Sequence, residues 1–209
     1  MSTVVTYVAS PNWELSLYAS IHSLVHSEST FDRIKVFSVG GEMKWLDSGR
    51  VNMEVEVVEN KSEEYFPQNK TYISDIDTTR LIYLDADTVV LDSIDKVWKG
   101  AQVNLLASHD SFYRSADRAK REHWREIMTG YGSQEGPNFN SGFLIFENNS
   151  QQKIGKCWED ICEREWQKGE ESKFSQFQGR WTTEQMALSI AALREVENIG
   201  EMKANHHVY

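Results

Sequence analysis

The chain has 209 residues, of which 40% are hydrophobic and 11% are aromatic, and its formal net charge at pH 7 is −10. This length allows one domain with a sizeable core and is too short for two domains of ordinary size, so we expect a single domain over residues 1–209. The negative charge disfavours a nucleic-acid partner, because it repels phosphate groups and the richest basic stretch, from Arg114 to Arg125, is short.

The first half of the chain alternates predicted strands with helices. A β-branched run predicts a first strand, and Ser10 and Pro11 after it are typical of a helix start. Apolar residues at helical spacing predict that this helix continues to about residue 25. Strands are predicted at 4–9, 34–39, 51–58 and 81–84, with a short helix at 72–76. This alternation is typical of a mostly parallel sheet with helices on both faces, which binds ligands at the carboxyl ends of its strands.

The second half of the chain is less regular. The apolar pattern predicts strands at 103–108 and 143–146, and helices at 115–128, 151–168 and 183–193. A glycine-rich loop is predicted at 130–137. The sequence has no internal repeat or linker, so the predicted fold class is a single α/β domain.

The cellular compartment of the protein and the redox state of its cysteines are indicated by three features that the sequence lacks. No apolar run is long enough to span a bilayer, and the first residues do not form a charged region followed by an apolar signal segment. Cys157 and Cys162 are too few for a disulfide framework or a cysteine-rich zinc site, so we expect buried, reduced thiols. The sequence therefore predicts a cytoplasmic protein without a membrane-spanning segment.

Two acidic residues, Asp85 and Asp87, end the strongest buried-strand signal. Residues two apart on an extended backbone project to the same side, so both carboxylates can approach one cation. Two like charges this close oppose joint ionisation unless a cation lies between them, and hard oxygen ligands prefer Mg²⁺ or Mn²⁺. The alternative is that Asp85 caps a turn and Asp87 faces solvent. The apolar strand before the pair and the motifs after it favour the cation site.

The stretch from Arg80 to Trp98, RLIYLDADTVVLDSIDKVW, resembles the aspartate-x-aspartate signature of GT-A-fold glycosyltransferases. The group that contains glycogenin and the bacterial lipooligosaccharide galactosyltransferases is the most similar. The resemblance implies a Rossmann-like GT-A domain with a nucleotide-binding half over about residues 1–100 and an acceptor-side half over about 101–209. It also implies that Asp85 and Asp87 hold Mn²⁺ (or Mg²⁺) against the diphosphate of a UDP-sugar, and that Asp85 approaches the ribose.

Further segments resemble donor-binding motifs of the same family, in the same order along the chain. Asn140 and Gly142 match an Asn-x-Gly step before a strand, where the amide and the backbone position sugar hydroxyls. By the same resemblance the end of the first strand lines the base pocket, and Lys70 lies near the phosphates, although an exposed lysine is the alternative. The predicted donor-binding residues are Ala9, Ser10, Asn12, Lys70, Asp85, Ala86, Asn140 and Gly142.

The segment WTTEQMAL resembles the family's Asp-Gln-Asp step near the anomeric carbon of the donor. Glu184 and Gln185 match in type, whereas Met186 replaces the second acid. If configuration is retained, as in the family, Glu184 would stabilise the cationic centre or act as a transient nucleophile. If it is inverted, the base would be Glu184 or Asp110, which resembles an acid that faces the acceptor in bacterial members. The alternative for Glu184 is a structural role in the first turn of a helix, where the helix dipole favours a negative charge. The alternative for Asp110 is that it caps a loop.

The segment MKANHHVY at the end of the sequence resembles the family's late histidine, which completes the metal site. His206 is the predicted third metal ligand, with His207 as the alternative, and simple exposure of both is the other alternative. The glycine and the Lys-Pro-Trp residues that follow in the family are absent. This indicates a shorter relative or a domain cut from a longer protein.

The sequence therefore predicts a metal-dependent glycosyltransferase that moves a hexose from a UDP-sugar, with UDP-glucose as the expected donor, to a glycan, glycoprotein or lipid-linked saccharide. Two rivals remain. The same motif resembles that of haloacid-dehalogenase-type phosphatases, with Asp85 as nucleophile, but there it normally follows the first strand, whereas three strand units precede it here. The other alternative is a non-catalytic nucleotide-sugar-binding module, which is favoured by Met186 because it replaces the second acid of the resembled motif.

Overall fold

The computed structural model describes residues 2–46, 52–62, 65–98, 102–179 and 182–202. Within these ranges one sheet contains seven strands: β1 (Thr3–Ala9), β2 (Arg33–Val39), β3 (Met53–Val58), β4 (Arg80–Leu84), β5 (Leu105–His109), β6 (Phe139–Glu147) and β7 (Ile199–Glu201). The α-helices are α1 (Glu14–His26), α2 (Asp95–Trp98), α3 (Ser111–Ser115), α4 (Arg118–Gly130), α5 (Ser150–Gln167), α6 (Lys173–Gln178) and α7 (Thr183–Glu195). Segments of 3₁₀ helix cover Pro11–Trp13, Phe66–Asp75 and Gly169–Glu171.

The strand order is β3-β2-β1-β4-β6-β5-β7, and β6 runs antiparallel to both of its neighbours while the other pairs are parallel. Apolar clusters cover both faces of the sheet, one with residues of α1 and the other with residues of α4, α5, α6 and α7. The prediction of a single α/β domain with a mostly parallel sheet and helices on both faces is therefore confirmed.

The antiparallel course of β6 determines what lies at the ligand-binding edge. β1 and β4 are parallel and both reach this edge with their carboxyl ends. β6 begins at the same edge, because Leu84 at the end of β4 lies opposite Phe143. Directly beyond, the Asp85 N–H donates to the Gly142 carbonyl at 2.9 Å. The first residues of β6 thus lie beside the acidic pair, although the two segments are distant in sequence.

Several boundaries differ from those predicted. The helix predicted at 115–128 corresponds to α4, which begins only at Arg118, because Asp117 caps it with a carboxylate that accepts from the Lys120 N–H at 2.9 Å. The short helix predicted at 72–76 corresponds to the end of the 3₁₀ segment at Phe66–Asp75. The strand predicted at 143–146 is part of the longer strand β6, at Phe139–Glu147. β7 was not predicted, since a three-residue strand with a central glycine carries little strand signal.

No helix in the described part of the chain combines the length and the apolar composition that a bilayer span needs. Cys157 and Cys162 are both free thiols, the first half-buried and the second buried. Burial raises the pKa of the Cys157 thiol to about 11, and it also raises the pKa of Cys162. Both groups therefore stay protonated at neutral pH, as expected of structural thiols.

The contact between α5 and the long 3₁₀ segment depends on Gly155. A Cβ at this position would lie 2.7 Å from Ser74 Cβ and 3.2 Å from Ser74 Cα, and the Cα cannot move away without its backbone. We expect Gly155→Ala to lower the free energy of unfolding by about 1–3 kcal/mol, as overpacking does, despite the better helix propensity of alanine. Urea denaturation measures this change.

Gly130→Ala is the matched control, because Gly130 also lies in a helix but a Cβ there meets nothing within 4 Å. We expect this control to be as stable as the parent chain or more so. Equal stability of the two variants would contradict the close contact at Ser74.

Candidate active site

A cleft opens at the edge of the sheet where β1 and β4 end. It is lined by Val8, Ala9, Trp13, Phe66, Pro67, Lys70, Asp85, Ala86 and Asp87. Five of these residues were predicted from the sequence as donor-binding or metal-binding residues. The structure thus brings together the end of β1, the 3₁₀ segment at Phe66–Asp75 and the acidic pair after β4.

Lys70 is the cation at the centre of this site. Its Nζ lies 2.9 Å from Asp85 Oδ1 and 3.4 Å from Glu184 Oε1, and it donates to Ser141 Oγ at 3.0 Å. Burial alone would lower the pKa of Lys70, but the Asp85 and Glu184 carboxylates outweigh this effect and raise the pKa above its ordinary value. The lysine predicted as a weak phosphate contact therefore stays charged and joins two carboxylates that are 99 residues apart in sequence.

Asp85 is held from three sides. Besides the ion pair with Lys70, its Oδ1 accepts a hydrogen bond from the Tyr83 hydroxyl at 2.6 Å, and its backbone N–H donates to Gly142. Burial and the nearby Asp85 charge raise the pKa of Tyr83 well above its ordinary value, so this hydroxyl remains a donor. The orientation of the Asp85 carboxylate is thus fixed before any ligand binds.

The Asn-x-Gly step predicted from the sequence lies directly against Asp85. The Gly142 N–H donates to Asn140 Oδ1 at 2.8 Å, which folds the asparagine side chain back over its own strand. A Cβ on residue 142 would lie 3.0 Å from Asp85 Oδ2 and 3.2 Å from Asn140 Oδ1. A side chain at residue 142 would therefore displace the Asp85 carboxylate or the Asn140 amide from its present position.

Glu184 lies in the first turn of α7 and is only 5% exposed. Its Oε1 accepts from Ser141 Oγ at 2.8 Å, whereas its Oε2 is buried without a hydrogen-bond partner among the described residues. Burial raises the pKa of Glu184 above its ordinary value, against the opposing effect of Lys70. The structure therefore holds a carboxyl group beside Lys70 with one oxygen free to accept a hydrogen bond.

The backbone of Glu184 is anchored by two aromatic side chains. Its N–H donates to the Tyr65 hydroxyl at 3.0 Å, and its carbonyl accepts from Trp158 Nε1 at 2.7 Å. Gln185 follows it with a buried Oε1 that also has no partner in the described part of the chain. Met186 is fully buried in the apolar core. The position that carries the second acid in the resembled motif therefore faces the core here, which explains the apolar residue.

The predicted acceptor-side acid Asp110 is not part of the cleft lining. Asp110 follows β5 and is buried, and its carboxylate accepts from the Tyr113 N–H at 3.2 Å, so it caps α3, which is the alternative role expected for it. The Asp110 N–H donates to the Asn138 carbonyl at 2.8 Å. His206 lies outside the described residues, as does His207. Among the described residues, no group of three or more His, Cys, Asp or Glu is arranged to hold a metal ion.

Several residues that shape the site were not predicted from the sequence. Trp13 forms part of the cleft wall and is 50% exposed, although its position at a helix start gave no signal beyond an apolar residue. Phe66 and Pro67 also line the cleft and belong to a mostly polar segment of the sequence. Ser141 was only the variable middle residue of the Asn-x-Gly step, yet it contacts both Lys70 and Glu184.

The model of the family described as "Glycosyl transferase family 8" matches residues 7–173. A crystal structure of the galactosyltransferase LgtC in complex with donor and acceptor sugar analogues has a TM-score of 0.64 and 15% identity, with 95% of this chain and 72% of that chain covered. An active-site mutant of LgtC has a TM-score of 0.64, 16% identity and the same coverage.

The glycosyltransferase GlyE of Streptococcus pneumoniae TIGR4 has a TM-score of 0.61 and 15% identity, with 97% of this chain and 46% of that chain covered. At these identities the likeness shows the fold alone. A comparison with curated protein sequences finds no match.

Proposed function

The chain belongs to glycosyl transferase family 8 and is a glycosyltransferase, and on that premise we propose that it transfers a hexose from a UDP-sugar, with UDP-glucose as the expected donor. The proposed acceptor is a glycan, a glycoprotein or a lipid-linked saccharide, and the proposed cofactor is Mn²⁺ or Mg²⁺. The observation that carries the proposal is the buried cluster in which Lys70 joins Asp85, at the end of β4, to Glu184, at the start of α7. We propose that configuration is retained.

The residues on the cleft wall suit a divalent cation. Asp85 and Asp87 are two hard oxygen ligands on one wall, and Gly142 leaves space beside Asp85 Oδ2 that a Cβ would fill. Asp85 and Asp87 would hold the cation, with His206 as the proposed third ligand. When bound, the cation supplies electrostatic stabilisation of the departing diphosphate. Ala86, between the two acids, has a small side chain that leaves space for the donor.

The apolar part of the cleft suits the base of the nucleotide. Trp13 presents half of its side chain to solvent, and Phe66 and Pro67 line the cleft with it. Stacking of a base on an aromatic ring contributes about 1–3 kcal/mol. We propose that Trp13 provides such a surface, and that Ala9, Ser10 and Asn12, which precede it, complete the base pocket.

The buried cluster suits the sugar and the reacting carbon. Cleavage of a glycosyl phosphate develops positive charge at the anomeric carbon, which a carboxylate stabilises. In our proposal Glu184 has this role or acts as a transient nucleophile, while Lys70 and Ser141 hold its other oxygen. Gln185 Oε1, which has no hydrogen-bond partner among the described residues, would accept a hydrogen bond from a sugar hydroxyl, and Asn140 and Gly142 would orient the sugar. Asp110 remains the proposed acid that faces the acceptor, and it or Glu184 would be the base of an inverting reaction.

Release of UDP from a panel of UDP-sugars, with and without Mn²⁺, tests the proposed function. We expect Mn²⁺-dependent release, fastest with UDP-glucose, and no hydrolysis of p-nitrophenyl phosphate as the phosphatase control. Phosphatase turnover without UDP release would overturn the proposal. Tight binding of UDP-sugars without turnover across varied acceptors would instead identify a non-catalytic binding module.

Gly142→Ala tests the space beside Asp85. The added Cβ would lie 3.0 Å from Asp85 Oδ2, so the carboxylate or the Asn140 side chain must move. We expect the affinity for UDP in Mn²⁺ to fall about tenfold or more, since overpacking costs about 1–3 kcal/mol. Isothermal titration measures this affinity. Unchanged affinity in Gly142→Ala, with Gly130→Ala as the matched control, would show that the space is not needed.

A further inference from the structure

The outward face of α1 contains no acidic or basic residue other than histidine. Its exposed residues are Leu15, Tyr18, Ala19, His22, Val25 and His26. Glu14 is buried, because its Oε1 accepts hydrogen bonds from the backbone N–H groups of Trp45 and Leu46. In contrast, α4 has the same length of 13 residues and exposes Arg118, Lys120, Arg121, Glu122, Arg125 and Glu126. A surface helix without charges is unusual in a chain of which 26% is charged.

Apolar side chains continue this surface on both flanks of the helix. Trp45 is 61% exposed and lies next to Glu14. On the other flank the Val90 N–H donates to Ser23 Oγ at 2.9 Å, and its neighbours Val89 and Leu91 are 44% and 74% exposed. We refer to Trp45, Val89 and Leu91, together with the six exposed residues of α1, as the α1 face. Its six large apolar side chains are 40–74% exposed, and a standard interface buries about 800 Å² per partner around such an apolar centre.

We propose that the α1 face binds the same face of a second copy of the chain, with the two α1 helices packed antiparallel about a two-fold axis. Residues 15, 18, 22 and 25 have the 3-4-3 spacing of a seam between paired helices. In an antiparallel pair centred between residues 18 and 22, Leu15 faces Val25 of the partner subunit and Tyr18 faces His22 of the partner subunit. The contact is self-complementary, as a two-fold interface requires.

Charge favours a second copy over the other occupants of an apolar surface. Two chains of formal charge −10 repel each other, so contact is least costly through a face that has no carboxylate of its own. The exposed acid that follows Leu91 in the sequence, Asp92, is paired with Lys96. Helices that lie on bilayers carry Lys and Arg beside their apolar face, and α1 has neither. A negatively charged chain is also repelled by anionic lipid.

Sedimentation equilibrium of the 209-residue chain tests the proposal. We expect a dimer at about 100 µM, a concentration that detects dissociation constants well into the micromolar range. Tyr18→Glu places carboxylates at the centre of the contact and should weaken the dimer at least about 100-fold, as hot-spot substitutions do. Ala119→Glu is the control, because Ala119 is exposed on α4, whose buried residues belong to the apolar cluster on the other face of the sheet, and we expect it to leave the dimer unchanged.

Chemical cross-linking tests the antiparallel register. We expect a short bismaleimide to link the double variant Leu15→Cys/Val25→Cys into covalent dimers. Each single variant should remain unlinked, because its two thiols would be about 15 Å apart along the helix axes at 1.5 Å per residue. The parent chain controls for Cys157, which is half-buried.

Three outcomes would overturn the proposal. One is a monomeric parent chain at the stated concentration, and another is loss of the dimer in Ala119→Glu but not in Tyr18→Glu. The third is binding of the parent chain to phosphatidylcholine vesicles that Tyr18→Glu removes while the oligomeric state is unchanged, which would assign the face to a bilayer. None of these outcomes bears on the proposed transferase activity, because Tyr18, Leu15 and Val25 lie outside the cleft lining.

Discussion

Asp87→Asn should abolish the Mn²⁺-dependent part of the affinity for UDP and slow turnover by about 100- to 1,000-fold, the usual cost of removing one electrostatic contact to the transition state. The substitution keeps the size of the side chain and removes its negative charge. Asp87 is exposed on the cleft wall, so we expect the free energy of unfolding to change by no more than about 0.5 kcal/mol. Isothermal titration of UDP with and without Mn²⁺ measures the effect.

The matched control for this variant is Asp92→Asn. Asp92 is also exposed and lies five residues further along the chain, where it forms an ion pair with Lys96 at 2.7 Å. Surface pairs of this kind contribute little, so we expect parental UDP affinity, turnover and stability. If Asp87→Asn binds UDP in Mn²⁺ as tightly as the control does, Asp87 is not a metal ligand.

The sequence could predict the acidic pair and its neighbours because each of them is tied to the end of a strand. Asp85 and Asp87 follow the most apolar run of the chain, and Gly142 lies within the antiparallel strand that pairs with it. Such positions fall at one edge of the sheet whatever the details of packing. The fold class could be predicted for the same reason, since alternation of strands and helices is visible in the sequence.

The buried cluster was less predictable, because it depends on contacts between distant elements. Lys70 lies in a 3₁₀ segment, for which periodicity gives only a weak signal, and it was expected to be exposed or near phosphates. Glu184 lies in a correctly predicted helix, but its burial results from packing of α7 against Tyr65 and Trp158. A carboxylate in a first turn is equally compatible with solvent, so its contact with Lys70 could not be read from the sequence.

Lys70→Met should destabilise the chain more than Gly155→Ala does, with a loss of about 3–5 kcal/mol of unfolding free energy at pH 7, as expected when one partner of a buried ion pair is removed. The variant leaves the buried Glu184 carboxylate and the partly exposed Asp85 carboxylate near each other without a cation. In the parent chain the raised pKa of Lys70 contributes stability that is present below its ordinary pKa and lost as pH rises through the folded value. In the variant this contribution is absent at every pH.

The pH dependence of stability separates this electrostatic loss from a simple packing defect. The pKa of Glu184 is raised by burial, and without Lys70 it should rise further. A raised carboxyl pKa gives stability below the ordinary value of about 4.5 that is lost as pH rises through the folded value. Lys70→Met should therefore recover part of its stability when the pH falls from 7 to 5. Urea denaturation at both pH values measures this recovery, and a packing defect would give none.

The double variant Lys70→Met/Glu184→Gln separates folding from catalysis, because it removes one of the two carboxylates that Lys70→Met leaves uncompensated. We expect it to be more stable at pH 7 than Lys70→Met and yet inactive, which would distinguish the folding role of the cluster from the proposed catalytic role of Glu184. Lys61→Met is the matched control, since Lys61 also pairs with a glutamate, Glu159, at 2.5 Å, but the Glu159 side chain is 33% exposed whereas that of Glu184 is 7% exposed. A Lys61→Met variant as destabilised as Lys70→Met would contradict the assignment of the loss to the buried cluster.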